Sequence, residues 1–182
     1  TLGSLSAAGK AVSLEVKGQV LDGDEALDIT AQSLSIQAAG LASSADALDI
    51  SVDSLSLNLG EGSAFVKEST GLTLSSATTG TFTLSAGGST HLQSLTATGA
   101  VTVNLSAGDL TVGSLSAAGK DVSLNVAGLV LDGDEALDLS ARALSITAQA
   151  VGSATDALET QVESLSLNLG AGGAYLSEVD GL

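Results

Sequence analysis

The sequence is most informative in the residue types that it lacks. Its 182 residues include no cysteine, proline, methionine or tryptophan, and only one tyrosine and two phenylalanines. The absence of cysteine excludes disulfide bonds and thiol chemistry. The near absence of aromatic side chains excludes an ordinary globular core built around bulky residues, so we expect a thin hydrophobic interior.

Positive charge is also scarce, because 21 acidic residues stand against five basic ones and the formal net charge is −16. This excess argues against binding to nucleic acid or to anionic membranes, and it favours solubility or cation binding. No apolar run approaches the roughly 20 residues that a membrane span requires, so we expect no membrane insertion. The chain is nevertheless 44% hydrophobic, which argues against disorder.

A long internal repeat organises the whole chain. Residues 1–72 align without a gap with residues 111–182, and about 45 of the 72 positions are identical. Residues 73–110 complete the first unit of 110 residues, and we interpret residues 1–182 as a single repeat domain. Because the sequence begins and ends inside such a unit, we expect it to be a fragment of a longer tandem array, in which neighbouring repeats of the same chain are partners.

A shorter period lies within the long one. Related segments recur every 20 to 22 residues, so that five coils would fill one 110-residue unit and about nine would fill the chain. Apolar residues alternate with serine, threonine, aspartate or asparagine in these coils, and glycine-containing turns separate the alternating runs. Alternation with a period of two indicates strands with one buried face.

These patterns predict an all-β protein, a parallel β-helix (β-solenoid) of about nine coils of 20–22 residues. Each coil would stack on the next and bury columns of leucine, valine and isoleucine. Residues 38–53 and 148–163 have a composition that also suits a short helix. They keep the 21-residue spacing to the preceding coil, so we predict solenoid coils there as well.

Residues 3–14 (GSLSAAGKAVSL), 113–124 (GSLSAAGKDVSL) and 95–103 (LTATGAVTV) follow a loose pattern GxLxAxGxxVxLxA. In this pattern the chain resembles the haemagglutinin-type repeats of filamentous haemagglutinin-like proteins and other large secreted bacterial adhesins. The resemblance touches most of the chain, and the acidic segment VLDGDEALD departs from it. It implies a parallel β-helical rod, cell adhesion, and a location that is secreted or on the bacterial cell surface.

The repeated acidic turn is the candidate binding site. Several carboxylates at a glycine turn supply the hard oxygen ligands that Ca²⁺ prefers, whereas a solvated loop is the alternative interpretation. Acids one coil away, such as Asp49, Asp156 and Glu159, would extend the cluster if the register holds. The candidate metal ligands are Asp22, Asp24, Glu25, Asp28, Asp132, Asp134, Glu135 and Asp138.

No motif in the sequence indicates catalysis or an organic cofactor. The single histidine, His91, is interpreted as a solvated turn residue rather than as part of a Ser/His/Asp set, and we expect no enzymatic activity. The expected function is that of a structural rod or adhesive segment that mediates contact between cells or with a surface. The alternatives are a Ca²⁺- or carbohydrate-binding module and, as a weaker hypothesis, a fragment of a polysaccharide-active enzyme.

Overall fold

The computed structural model describes residues 1–24 and 26–182, and these residues form a parallel β-solenoid of about eight turns. The predicted all-β class and coil stacking are therefore confirmed, with a number of turns close to the nine expected. The described residues form strands, turns and bends, and they include no helix long and apolar enough to cross a membrane. Residues 38–53 and 148–163 lie in the solenoid, as the 21-residue spacing predicted.

Eighteen strands carry the turns, and each strand pairs in parallel with the strands one turn before and after it. They are β1 (Leu5–Glu15), β2 (Gln19–Val20), β3 (Ile29–Gln37), β4 (Gly40–Leu41), β5 (Leu48–Asn58), β6 (Ala64–Glu68), β7 (Thr73–Thr79), β8 (Phe82–Ala86), β9 (Thr90–Leu92), β10 (Leu95–Ala97), β11 (Val101–Leu105), β12 (Leu110–Val112), β13 (Leu115–Val126), β14 (Leu129–Asp132), β15 (Leu139–Ala148), β16 (Ala150–Val151), β17 (Leu158–Leu169) and β18 (Leu176–Glu178).

The solenoid has two long sides, which the middle turns define. The first side is the stack of β6, β8, β11 and residues 122–126 of β13. The second side is the stack of β7, then β9 with β10, then β12 with residues 115–117 of β13. Side chains on both sides alternate between the interior and the surface, so that in β8 Phe82, Leu84 and Ala86 are buried and the residues between them are partly exposed.

The relation between the two repeats differs from the sequence-based expectation. The column that begins at Val12 passes through Leu34, Leu55, Leu74 and Leu92 and reaches Val112 after five turns. The sequence match of Val12 is Val122, which lies ten residues further along and stacks on Val101, on the first side. The expectation of five coils per 110-residue unit is therefore wrong, because the unit advances by five turns and about half a turn.

The half turn arises because the turns are unequal in length. Ile50, Glu68 and Ala86 stack on one another at intervals of only 18 residues, whereas Leu5 stacks on Ile29 across 24 residues. Short turns in the middle of the chain thus leave residues to spare within each unit. The local pairing of each repeat is still preserved, since Leu115 stacks on Leu139 as Leu5 stacks on Ile29.

Glycine at several corners allows successive turns to approach closely. A Cβ atom added at Gly71 would overlap the carbonyl oxygen of Ser89 in the next turn, and one added at Gly62 would overlap the carbonyl oxygen of Ala39. By contrast, a Cβ atom at Gly18 would meet nothing within 4 Å. Corners of the first kind need glycine because a neighbouring backbone fills the space of a side chain.

We expect Gly71→Ala to lower the free energy of unfolding by about 1–3 kcal/mol, because the turn must shift to admit the methyl group. Gly18→Ala is the matched control and should change it by less than about 0.5 kcal/mol. Urea unfolding followed by circular dichroism measures both effects. Equal stability of the two variants would show that the corner at Gly71 is not closely packed in solution.

Candidate metal centre

The two copies of VLDGDEALD form matching loops between short strands. The first copy joins β2 to β3, and the second joins β14 to β15. In the second copy Asp132 Oδ1 accepts a hydrogen bond from the Asp134 N–H at 2.8 Å, and Asp134 Oδ1 accepts one from the Ala136 N–H at 2.8 Å. Asp22 and Asp24 shape the first loop in the same way. Part of the acidic content thus stabilises the turns themselves.

The last aspartate of each loop is buried and ties neighbouring turns together. Asp28 and Asp138 are both 0% exposed. Asp138 Oδ2 accepts a hydrogen bond from the Glu159 N–H at 2.8 Å, and its backbone carbonyl accepts one from the Leu115 N–H at 2.6 Å. Asp28 makes the matching bond to the Asp49 N–H at 3.1 Å. The second carboxylate oxygen of each aspartate, Oδ1, is buried and has no hydrogen-bond partner.

In the second repeat, carboxylates from two turns converge on one point. One carboxylate oxygen from each of Asp132, Asp138 and Glu159 lies within 4.8 Å of the other two. Glu159 Oε2 is buried and, like Asp138 Oδ1, it has no hydrogen-bond partner. We call these three residues the carboxylate cluster. It is the single group of this kind among residues 1–24 and 26–182.

Burial dominates the electrostatics of the two loop aspartates. It raises the pKa of Asp138 to about 8, against an ordinary value of 3.8, and the neighbouring Asp132 and Glu159 carboxylates raise it further, while the hydrogen bond from the Glu159 N–H lowers it. Burial likewise raises the pKa of Asp28, to about 6, with a smaller effect from Asp22 and an opposing one from the Asp49 N–H. A negative charge is therefore costly at both positions.

A fourth acid lies at the edge of the carboxylate cluster. Asp156 is exposed, and the pKa of its carboxyl is raised chiefly by sharing a hydrogen bond with the Asp132 carboxyl. The charges of Glu135 and Glu159 act in the same direction. The region around Asp132 thus gathers negative charge from the acidic loop and from the following turn.

The structure separates the predicted ligands into three groups. Asp132 and Asp138 come together in the carboxylate cluster, and Asp22 and Asp28 are neighbours in the first repeat. Asp24, Asp134 and Glu135 are exposed, and neither of the latter two belongs to the cluster. Glu25 lies outside the described residues. Glu159, predicted only as an extension one coil away, supplies the third carboxylate of the cluster.

The first repeat differs at the position that matches Glu159. This position is Asp49, whose carboxylate forms an ion pair with the Lys67 ammonium at 2.8 Å. Lys67 stacks beside Asp49 in the next turn, and the residue that stacks beside Glu159 is Ser177. The only other ion pair within the described part of the chain joins Arg142 to Asp121. The carboxylate cluster therefore has no cationic partner among the described ion pairs.

Two further acids have a structural role that the sequence analysis missed. Glu68 is buried and accepts hydrogen bonds from the Val52 N–H at 2.9 Å and the Thr70 N–H at 3.0 Å. Glu178 repeats the first of these contacts by accepting a bond from the Val162 N–H at 3.2 Å. Both glutamates cap a corner where backbone donors lack a strand partner. Their conserved spacing of 110 residues was the available signal.

Comparison with known proteins identifies no relative: no family model, curated protein or solved structure matches the chain.

We expect the free energy of unfolding of the metal-free protein to fall between about pH 4 and pH 8, in part because of Asp138. Across this range the unfolded state loses a proton near pH 3.8, whereas the folded state keeps it up to about pH 8. Asp138→Asn should remove this contribution and make the protein less sensitive to pH. Urea unfolding in EDTA at pH 5 and pH 8 measures the difference.

Asp134→Asn is the matched control for this experiment, since it removes one charge from the same loop and keeps the oxygen that accepts the Ala136 N–H. It should preserve the dependence on pH. An Asp138→Asn variant with the same change in stability between pH 5 and pH 8 as the parent protein would contradict the assignment.

Proposed function

We propose that the chain is a structural rod or adhesive segment of a large bacterial cell-surface or secreted protein, which mediates contact between cells or between a cell and a surface. The resemblance of residues 3–14, 95–103 and 113–124 to haemagglutinin-type repeats supports this assignment. So does the solenoid fold, because its length increases with every added turn while its cross-section is constant.

The observation that carries the proposal is the continuity of the interior along the solenoid axis. One column of stacked positions runs through the turns with apolar residues at seven successive levels, namely Leu14, Ile36, Leu57, Ala77, Leu95, Leu115 and Leu139. Backbone hydrogen bonds connect the same levels. A continuous apolar column with parallel ladders on its sides resists bending, as a spacer requires.

The proposal includes no enzymatic activity. His91 lies in β9 and not in a turn as expected, and its neighbours in the adjacent turns are Thr73 and Thr111. Its side chain makes no hydrogen bond to any other group in the described ranges. A hydroxyl nucleophile would need a basic nitrogen within hydrogen-bond reach, and His91 is the only histidine in the chain.

A shallow groove on the first side offers a contact surface for an adhesive role. It has a volume of about 530 Å³, and its lining includes Lys67, Ser85, Asn104 and Asn125. The Asn125 side-chain amide donates a hydrogen bond to Asn104 Oδ1 at 2.9 Å, so the two amides form a ladder across adjacent turns. Amide, hydroxyl and ammonium groups can donate to and accept from sugar hydroxyls, which favours a carbohydrate ligand on a cell surface.

The rod predicts how the dimensions of the molecule change with repeat number. A chain with a second copy of residues 1–110 placed before residue 1 should be longer by roughly 26 Å, since about five and a half turns add about 4.8 Å each. Small-angle X-ray scattering should show this increase in maximum dimension and an unchanged cross-sectional radius. A larger radius at constant length would contradict the rod.

The adhesive role predicts that beads coated with the protein bind bacterial or host cells that carry surface glycans. The double variant Asn104→Ala, Asn125→Ala should reduce the number of bound beads by at least about half, because it removes the amide ladder of the groove. Thr102→Ala, a similar truncation on β11, is the matched control. Adhesion no greater than that of beads coated with an unrelated acidic protein would reject this role and leave the spacer.

A further inference from the structure

We propose that the carboxylate cluster of Asp132, Asp138 and Glu159 binds one divalent cation of the Ca²⁺ class, and that Lys67 replaces this cation in the first repeat. The proposal is independent of the adhesive function. It makes two repeats with nearly the same loop sequence chemically different, and the difference arises one turn away from the loop.

The geometry of the cluster suits a single small cation. Its three oxygens lie within 4.8 Å of one another. Two oxygens bound to one Ca²⁺ at about 2.4 Å are separated by at most about 4.8 Å, so all three can reach the same ion. Carboxylate oxygens are hard ligands, and the absence of cysteine and of any nearby histidine disfavours a transition metal.

Burial provides a second indication of a ligand. Asp138 is fully buried, and its Oδ1 has no hydrogen-bond donor. Glu159 Oε2 is also buried without a donor. Buried carboxylate oxygens are costly unless a hydrogen bond or a cation compensates them. The donors at this point are limited to the Glu159 N–H, which already binds Asp138 Oδ2.

The first repeat supplies an internal comparison. Asp22 Oδ2 and Asp28 Oδ1 are buried there without partners, like their counterparts in the second repeat. The third carboxylate, Asp49, is shorter than Glu159 by one methylene group and forms the 2.8 Å ion pair with Lys67. An ammonium group already balances the charge of this site. Ser177 stands in the place of Lys67 in the second repeat and carries no charge.

Ca²⁺ fits the cluster better than Mg²⁺ does. Ca²⁺ accepts six to eight oxygens in irregular arrangements, whereas Mg²⁺ requires a nearly ideal octahedron and keeps most of its water. Three carboxylates from two turns leave room for water and for the exposed carboxylate of Asp156 to complete an irregular shell. A bound ion would join the loop after β14 to strand β17 in the next turn.

Isothermal titration calorimetry of the EDTA-treated and dialysed protein with CaCl₂ tests the proposal. We expect one saturable site per chain. Glu159→Gln should weaken the binding about tenfold or more, because it removes one of three charged ligands. Ser177→Lys should do the same, since it places an ammonium beside Glu159 as Lys67 stands beside Asp49. Ser177 is exposed, so this variant is not expected to disturb the core.

Two controls separate specific binding from general attraction of cations to an acidic protein. Asp134→Asn removes one charge from the same loop outside the cluster, and Asp28→Asn removes one from the first repeat. Both should keep one site with an affinity within about threefold of the parent value, as expected for a charge that does not contact the ion. Circular dichroism confirms that each variant is folded.

A saturable site that Glu159→Gln and Ser177→Lys both weaken, and that both controls preserve, would support the proposal. Absence of saturable binding in the parent protein would overturn it. Equal weakening by Asp134→Asn and Glu159→Gln would also overturn it, because the attraction would then depend on overall charge. Two sites per chain, one of them lost in Asp28→Asn, would reject the replacement of the cation by Lys67.

Discussion

The parallel hydrogen-bonded ladder between turns is the interaction on which the rest of this structure depends. Every strand uses its backbone groups toward the turns before and after it, so a residue without an N–H would break a ladder, and the chain contains no proline. The ladder also fixes the distance between turns. That spacing forces glycine at close corners such as Gly71 and aligns apolar side chains in continuous columns.

The same ladder explains why charged groups are found inside an otherwise apolar solenoid. Where a loop leaves the strand, backbone donors of the next turn lose their partner. Asp138 receives the Glu159 N–H at one such point, and Glu68 receives the Val52 N–H at another. One carboxylate oxygen satisfies the donor and the other is left over. The structural need for a buried acceptor thus produces surplus negative charge, which Lys67 offsets through Asp49 in the first repeat.

Most of the fold could be predicted from the sequence, because alternation of apolar and polar residues specifies strands and a near-constant period specifies stacking. The half-turn advance could not, since it depends on the summed lengths of unequal turns and similar columns of leucine and valine fit either side. Asp132 and Asp138 were found from composition around a glycine turn. Their partnership with Glu159, and the pairing of Asp49 with Lys67, required the register between turns.

The half-turn advance gives the repeat a handed surface decoration. Asp28 stacks beside the first side, and its match Asp138 stacks beside the second. In an array built from this unit, acidic loops would emerge on alternating flanks and return to the same flank every two units, roughly 53 Å apart at about 4.8 Å per turn. Such a rod has the symmetry of a twofold screw. It would present equivalent features to a neighbour on either flank, so no particular rotation about its axis would be needed for contact.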